Sequence, residues 1–270
     1  MSHPTSAGDR DSSDDRLVGS DRVIAVLMEL AEHPQGISLD ELATRLASSK
    51  PTVHRALATL RRAGLADLLE RGVYVLGDEY LRLAFRNLDG RPETVRIQPL
   101  LEELARTYGE TAHYAVLSGV EIVYRAKMDP PQGAVRLTSM VGGRNTAHST
   151  AVGKALLSSR LHSVGDVTEW IGDRALEKKT PATLTSAPAL SRELDLTRER
   201  GYGVDDEENE VGVNCVAIPI YLDGSVEPAG AISISAVRFR CPLERLVENV
   251  PQVRAAIAAH LGEGALHGTR

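Results

Sequence analysis

The sequence predicts an α+β chain in two parts, an N-terminal winged helix-turn-helix and a larger sensor-like α+β domain, with a helix linking them. Three observations carry this expectation. Residues 38–76 read as two short amphipathic helices around a tight turn, followed by a small β-hairpin. The 270-residue chain is acidic, with a formal net charge of -6, yet Arg45 through Arg62 holds five Arg or Lys and no Asp or Glu. Further along, strand-like runs are bracketed by helical ones, and the length exceeds what one domain ordinarily holds.

Residues 1–19 are rich in Ser, Asp, Gly and Arg, bury too little apolar surface to order themselves, and are expected to form a flexible tail. The winged helix-turn-helix is expected over 20–77. Its first helix starts after Ser20, turns Val23, Val26, Leu27, Leu30 and Ala31 inward, and stops before Pro34 and Gly36. Ser38 caps the second helix, with Glu41 reaching back in an S-x-x-E capping box and Leu39, Leu42, Ala43 and Leu46 as the apolar stripe. After the turn Ala47-Ser48-Ser49, Pro51 suits the first turn of the third helix, where a missing N–H costs nothing. Val53, Ala56, Leu57 and Leu60 share one face of it. At ~100° per residue, Thr52, Arg55, Thr59 and Arg62 fall within an arc on the other side. The wing is Leu65 to Leu69 and Val73 to Leu76 around Glu70-Arg71-Gly72.

A linker helix is expected over 78–92, where Leu81, Ala84, Phe85 and Leu88 keep helical spacing until Asp89-Gly90-Arg91-Pro92 breaks it. The second domain, 93–263, opens with a helix carrying Ile97, Leu100, Leu101, Leu104 and Ala105, ended by Gly109. Strands are expected at Thr111 to Ser118, Ile122 to Met128 and about Val135 to Met140. A glycine-containing loop, Val141 to Arg144, then leads into a helix from Ser149 or Thr150 to Ser158. Helices near Val164 to Ile171 and Pro188 to Arg200 follow, the latter closed by Gly201. Strands Cys215 to Tyr221 and Ala229 to Ala236 precede a last helix through Val253, Ile257 and Leu261, and residues 264–270 form a tail.

No apolar run approaches the ~20 residues that span a bilayer, and Met1 to Ser20 lacks a secretory apolar stretch, so a cytoplasmic protein with no membrane partner is expected. Cys215 and Cys241 are the only cysteines, too few for a disulfide framework or a thiolate metal cluster. Free thiols, no metal and no cofactor follow. A basic strip on a helix-turn-helix is the footprint of a phosphate-binding surface, and such a face can enter a DNA major groove. The candidate DNA contacts are Lys50, Thr52, His54, Arg55, Thr59 and Arg62, with Arg71 at the wing tip. An acidic protein partner is the alternative, told apart by how steeply affinity falls with salt.

TVHRALATL at 52–60, YVLG at 74–77, AHSTAVGKALL at 147–157, TPATLT at 180–185, RERGYGVDDEENEVGVNCVAIPI at 198–220 and GAISIS at 230–235 run in one order. In this the chain resembles the IclR family of transcriptional regulators, from about Ser20 to Leu261. The resemblance implies a dimerising linker helix and a GAF/PAS-like C-terminal domain that binds a small effector. It also implies a homodimer or dimer of dimers on a near-palindromic double-stranded operator. Repression released by ligand is the commoner mode of such proteins, so a repressor of a catabolic operon is expected, with an activator as the alternative. The chain departs from many members at Pro51, where they have Ser, and in a wing, Val73-Tyr74-Val75, that is less basic.

Ser233 and Ser235 share one strand face while Ile232 and Ile234 take the other. The resemblance matches Asp205, Cys215, Ser233 and Ser235 to polar effector-pocket positions, and Ala151, Val152 and Gly153 to a backbone stretch at a helix start. Amides there favour an anion, so the expected effector is a small carboxylate. Asp205 would repel it unless protonated or accepting from a ligand hydroxyl, which favours a hydroxy or keto acid. His113 and His148 fit either a pocket or a satisfied interior. Catalysis finds little support. Gly153-Lys154 lacks the Gly at 148 and the Ser or Thr at 155 of a phosphate loop, and no G-x-S-x-G elbow occurs. A Cys215, His148 and Asp205 hydrolase arrangement is the remaining enzymatic alternative, and the expectation is a protein that is not an enzyme.

Overall fold

A computed structural model describes residues 19–90, 92–131 and 137–268, and the chain divides between Gly90 and Arg91 into two compact units. The tail expected over 1–19 lies outside the described residues except for Gly19.

In the first unit, α1 (Gly19–Ala31), α2 (Leu39–Arg45) and α3 (Lys50–Arg62) enclose a core of Val26, Leu30, Leu42, Val53, Leu57 and Leu60, closed by Ala66 and Tyr74 of the wing. Ala31, expected inside, is exposed in the last turn of α1. The wing strands β2 (Ala66–Leu68) and β3 (Val73–Leu76) flank a 3-10 turn, Glu70–Gly72, and a two-residue strand β1 (Ile37–Ser38) joins them in the order β1-β3-β2. Ile37 pairs with Tyr74, so the sheet pins the start of α2. Helix α4 (Asp78–Asp89) ends the unit.

The second unit is one antiparallel sheet with helices on both faces. Its strands are β4 (Thr111–Ser118), β5 (Glu121–Met128), β6 (Arg144–Thr146), β7 (Gly203–Asp206), β8 (Val213–Ile220) and β9 (Gly230–Val237), in the order β6-β5-β4-β9-β8-β7. On one face, Ala112, Tyr114, Val216, Ile218, Ile232 and Ile234 pack against α5 (Pro92–Tyr108), α9 (Leu243–Glu248) and α10 (Val250–Leu261). On the other, Ala115, Ala217 and Ala231 take α6 (Ala151–Leu157), backed by α7 (Val164–Ile171) and α8 (Ala187–Arg200). Small residues let the helix come close: a Cβ on Gly203 would lie 2.1 Å from the Ala151 carbonyl oxygen, and one on Gly153 would lie 2.0 Å from that of Ala147.

Two expectations fail here. Of the strand expected over 135–140, residues 135 and 136 lie outside the described residues and 137–140 are irregular. The Lys127 ammonium takes the carbonyls of Leu137 and Ser139, both at 2.8 Å, where a strand ladder would need them. The edge strand is β6 instead, reached through Gly142 and Gly143, which bond the backbone of Tyr124. Nor is 264–270 wholly a tail, because a 3-10 turn, Glu263–Leu266, buries Ala265, whose carbonyl accepts from the Tyr221 N–H at 2.8 Å.

Candidate nucleic-acid interface and effector site

Helix α2 begins as a reciprocal cap, the Glu41 N–H donating to Ser38 Oγ at 3.2 Å and the Ser38 N–H to Glu41 Oε2 at 3.1 Å. Ala47, at a φ of 45°, turns the chain so that α3 starts beside it. Burial of Val53, Ala56, Leu57 and Leu60 fixes which side of α3 faces out. Lys50, His54, Arg55, Thr59 and Arg62 are exposed there, and Thr52 is half-buried. Several are held in place. Thr52 shares a 2.7 Å hydrogen bond with Ser49, Thr59 donates to the Arg55 carbonyl at 3.1 Å, and Arg62 donates to Thr59 Oγ1 at 3.1 Å. Lys50 lies 2.8 Å from Asp40 in an exposed ion pair that a phosphate can replace at little cost. The backbone of Arg71 sits in the 3-10 turn of the wing, and its side chain is outside the described residues.

Strand register organises the second site. Thr111, Ser235, Cys215 and Asp205 are opposite one another across β4, β9, β8 and β7, and the neighbouring row on the same face reads His113, Ser233, Ala217 and Gly203. The sheet thus brings Asp205, Cys215, Ser233 and Ser235 together, with Cys215 directly opposite Ser235 on one side and Asp205 on the other. Burial pushes the Asp205 carboxyl up to about 7, against the pull of Lys154 and with a further push from Glu208. Its Oδ1 accepts the N–H groups of Glu208 at 2.8 Å and Asn209 at 3.2 Å. Desolvation, with Asp205 nearby, drives the Cys215 thiol far above its usual range, so it is protonated and a poor nucleophile.

At the start of α6 one amide differs from expectation. The Gly153 N–H already donates to Thr150 Oγ1 at 3.1 Å, so it is not free for an anion, and Ala151 and Val152 remain the candidates on that stretch. Several contributors were not evident in the sequence. Lys154 is fully buried, where its ammonium contacts Glu208 and lies 3.3 Å from Glu193. Thr180 and Thr183 of TPATLT each donate at 2.6 Å to the carbonyls of Glu207 and Glu208. The motif therefore pins the turn that supports Asp205. Its Thr-x-x-Thr spacing was the available signal; no pattern flagged the buried charges. His148 Nε2 is 3.0 Å from the Glu177 carbonyl, and burial lowers its pKa. It lies between β6 and α6, on none of the strands whose register forms the row of Cys215 and Asp205.

A basic reading helix in one unit and a polar, partly protonated sheet face in the other define a ligand-responsive DNA-binding regulator. Comparison with known proteins agrees. Residues 20–68 match the IclR helix-turn-helix domain and residues 90–260 the bacterial transcriptional regulator IclR C-terminal domain. The chain is 34% identical over 258 residues to the HTH-type transcriptional regulator KdgR of Escherichia coli K12, covering 94% of this chain and 96% of that protein. The crystal structure of the Thermotoga maritima IclR superposes with a TM-score of 0.72 at 27% identity, over 90% of this chain and 98% of that one. The inducer-binding domain of a PobR double mutant from Acinetobacter, in complex with 3-hydroxybenzoic acid, aligns at 28% identity and a TM-score of 0.55, over 62% and 95% of the two chains. The chain belongs to the IclR family of bacterial transcriptional regulators. It is a DNA-binding regulator with an N-terminal helix-turn-helix and a C-terminal effector domain. Among the described residues no helix is long and apolar enough to cross a membrane.

Proposed function

We propose that this regulator represses a catabolic operon from the cytoplasm, binding a near-palindromic operator as a homodimer or dimer of dimers, and that a small hydroxy or keto acid releases it. Residues 20–77 read DNA, 78–92 link, and 93–263 sense. The observation that carries the DNA half is the exposed face of α3, held outward by four buried residues. Lys50, Thr52, His54, Arg55, Thr59 and Arg62 make the contacts, with Arg71 of the wing as a further one. Lys50 and Arg62 supply phosphate contacts, whereas the Arg55 guanidinium, without a partner among the described residues, suits a guanine edge. Arg55→Ala is expected to cost ~1–3 kcal/mol of operator binding and to relax base preference at one position. Undiminished discrimination in a mobility-shift titration removes Arg55 from base readout.

The acid is held by Ser233 and Ser235, with the amides of Ala151 and Val152 nearby, and Cys215 and Asp205 complete the row. Asp205 tolerates the anion because its own carboxyl is half-protonated near pH 7. A solved relative that holds 3-hydroxybenzoic acid supports this ligand class. The role is sensing rather than catalysis. A thermal-shift screen tests it, since a ligand that binds only the native state raises apparent stability by mass action. Shifts from sugars or amines with none from acids overturn the ligand class. A reporter fused to the operator gives the sign.

A further inference from the structure

His113 and His148 are both buried in the second unit, and each has one ring nitrogen engaged. Only His113 also has a stranded one. Its Nε2 lies 2.8 Å from Ser139 Oγ, while Nδ1 is a buried polar atom with no partner among the described residues. A buried polar group left without a partner is costly, so its persistence calls for an explanation. The position supplies one. His113 sits on β4 directly opposite Ser233 of β9, on the sheet face that carries Ser235 and Cys215. Asp205, two strands from Ser235 along the same row, already accepts two backbone N–H groups on Oδ1, so that oxygen is engaged by the protein itself.

We infer that His113 recognises the effector's hydroxyl or keto oxygen through Nδ1, while Nε2 passes the contact to Ser139 on the segment that follows β5. This rests on the reading of the second unit as a hydroxy- or keto-acid site. The ring is preorganised for the task. It packs against Tyr124 with centroids 4.9 Å apart, and Ser139 is fixed from its other side by Lys127, which donates to its carbonyl at 2.8 Å. Burial, and then the Lys127 charge, hold the imidazole neutral with a pKa of about 3. One nitrogen therefore carries a proton and the other does not. If Nε2–H donates to Ser139, Nδ1 can only accept and therefore requires a hydroxyl; if Ser139 donates to Nε2, Nδ1–H can donate to either a keto or a hydroxyl oxygen. Only the first tautomer selects between the two ligand classes.

The test uses the full chain and matched acids that differ by one oxygen, 3-hydroxybenzoate with benzoate, lactate or pyruvate with propionate, read by calorimetry and thermal shift. The wild type is expected to prefer an oxygenated member by about tenfold or more, because a site built around a polar contact rejects the analogue lacking it. His113→Phe is expected to reduce that preference to within about twofold, by lowering affinity for the oxygenated acid more than for its parent. Loss of preference separates recognition from support of the fold, which would weaken both acids alike. Ring-15N histidine spectra of the wild type give a second readout that needs no variant. The His113 Nδ1 signal is expected to move with the preferred acid and not with its parent. Preserved preference in His113→Phe, or an unmoved Nδ1 signal at saturation, overturns the inference alone. Failure of every acid to bind the wild type overturns the effector reading beneath it, and this inference with it.

Discussion

Asp205 and His113 are buried titratable groups on one sheet face, and their pKa shifts run in opposite directions. Burial raises Asp205 from 3.8 to about 7, so its contribution to stability is complete at low pH and is lost as pH rises through about 7. Burial lowers His113 from 6.5 to about 3, so its contribution is complete above 6.5 and is lost as pH falls toward 3. Between about pH 4 and 6.5 the two slopes cancel, each being about 1.4 kcal/mol per pH unit. Asp205→Asn removes one of them. Relative to wild type, that variant is expected to lose about 1.4 kcal/mol per pH unit on acidification across this window, measured by urea unfolding at pH 4.5, 5.5 and 6.5. Parallel profiles for the two proteins contradict the shifted carboxyl. Lys154 gives a simpler expectation, because its fully buried ammonium is the partner of Glu208 and Glu193. Lys154→Met leaves the Glu208 carboxylate uncompensated, while Glu193 keeps Arg200 at 2.6 Å, and is expected to cost ~3–5 kcal/mol, whereas a double change with Glu208→Gln recovers part of it.

The elements divide into those that sequence periodicity exposes and those too short or too atypical for it. Helices α2, α3 and α5 carry stripes at helical spacing, and β4, β5, β8 and β9 run eight residues each, so all were legible. Strands β1, β6 and β7 span two, three and four residues and exist because a neighbour's open edge pairs with them, which no local pattern encodes. The Leu137-Thr138-Ser139-Met140 run alternates like a strand, but Lys127 captures its carbonyls. For the site, period two placed Ser233 and Ser235 on one face, and the register added Cys215 and Asp205 beside them. Lys154 and Glu208 look like surface residues in any sequence, and only the fold reveals them as interior. Helix α6 is the element on which this arrangement depends. It packs so close that Gly153→Ala puts a methyl 2.0 Å from a backbone oxygen, where neither partner is a flexible tip. The variant is expected to lose the acid-induced thermal shift and to unfold its second unit early. Circular dichroism with two resolved transitions would report this, and unchanged transitions count against the packing argument.

At the scale of the whole molecule, the two units have separate cores, and among the described residues the apolar side chains of α4 are not part of the first unit's core. Along α4, Leu81 and Phe85 are 51% and 62% exposed and lie four residues apart, one above the other on the helix, with Tyr80 at 38% beside them. Leaving such a stripe in water forfeits about 25 cal/mol for each Å² that a partner could cover, and in the proposed homodimer a second copy of the same stripe would cover it in a self-complementary seam. A monomer with one recognition helix also gains nothing from a second half-site, whereas linked reading heads raise apparent affinity by about 10²–10⁴-fold. Joint replacement Leu81→Glu with Phe85→Glu puts like charges at that seam. The variant is expected to sediment as a monomer at micromolar concentration, to lose about 100-fold or more in operator affinity, and to keep the acid-induced shift of its second unit. Loss of the acid response along with DNA binding would mean the substitutions had damaged the fold. A variant that keeps both its dimeric mass and its operator affinity would place the dimer contact elsewhere in the chain.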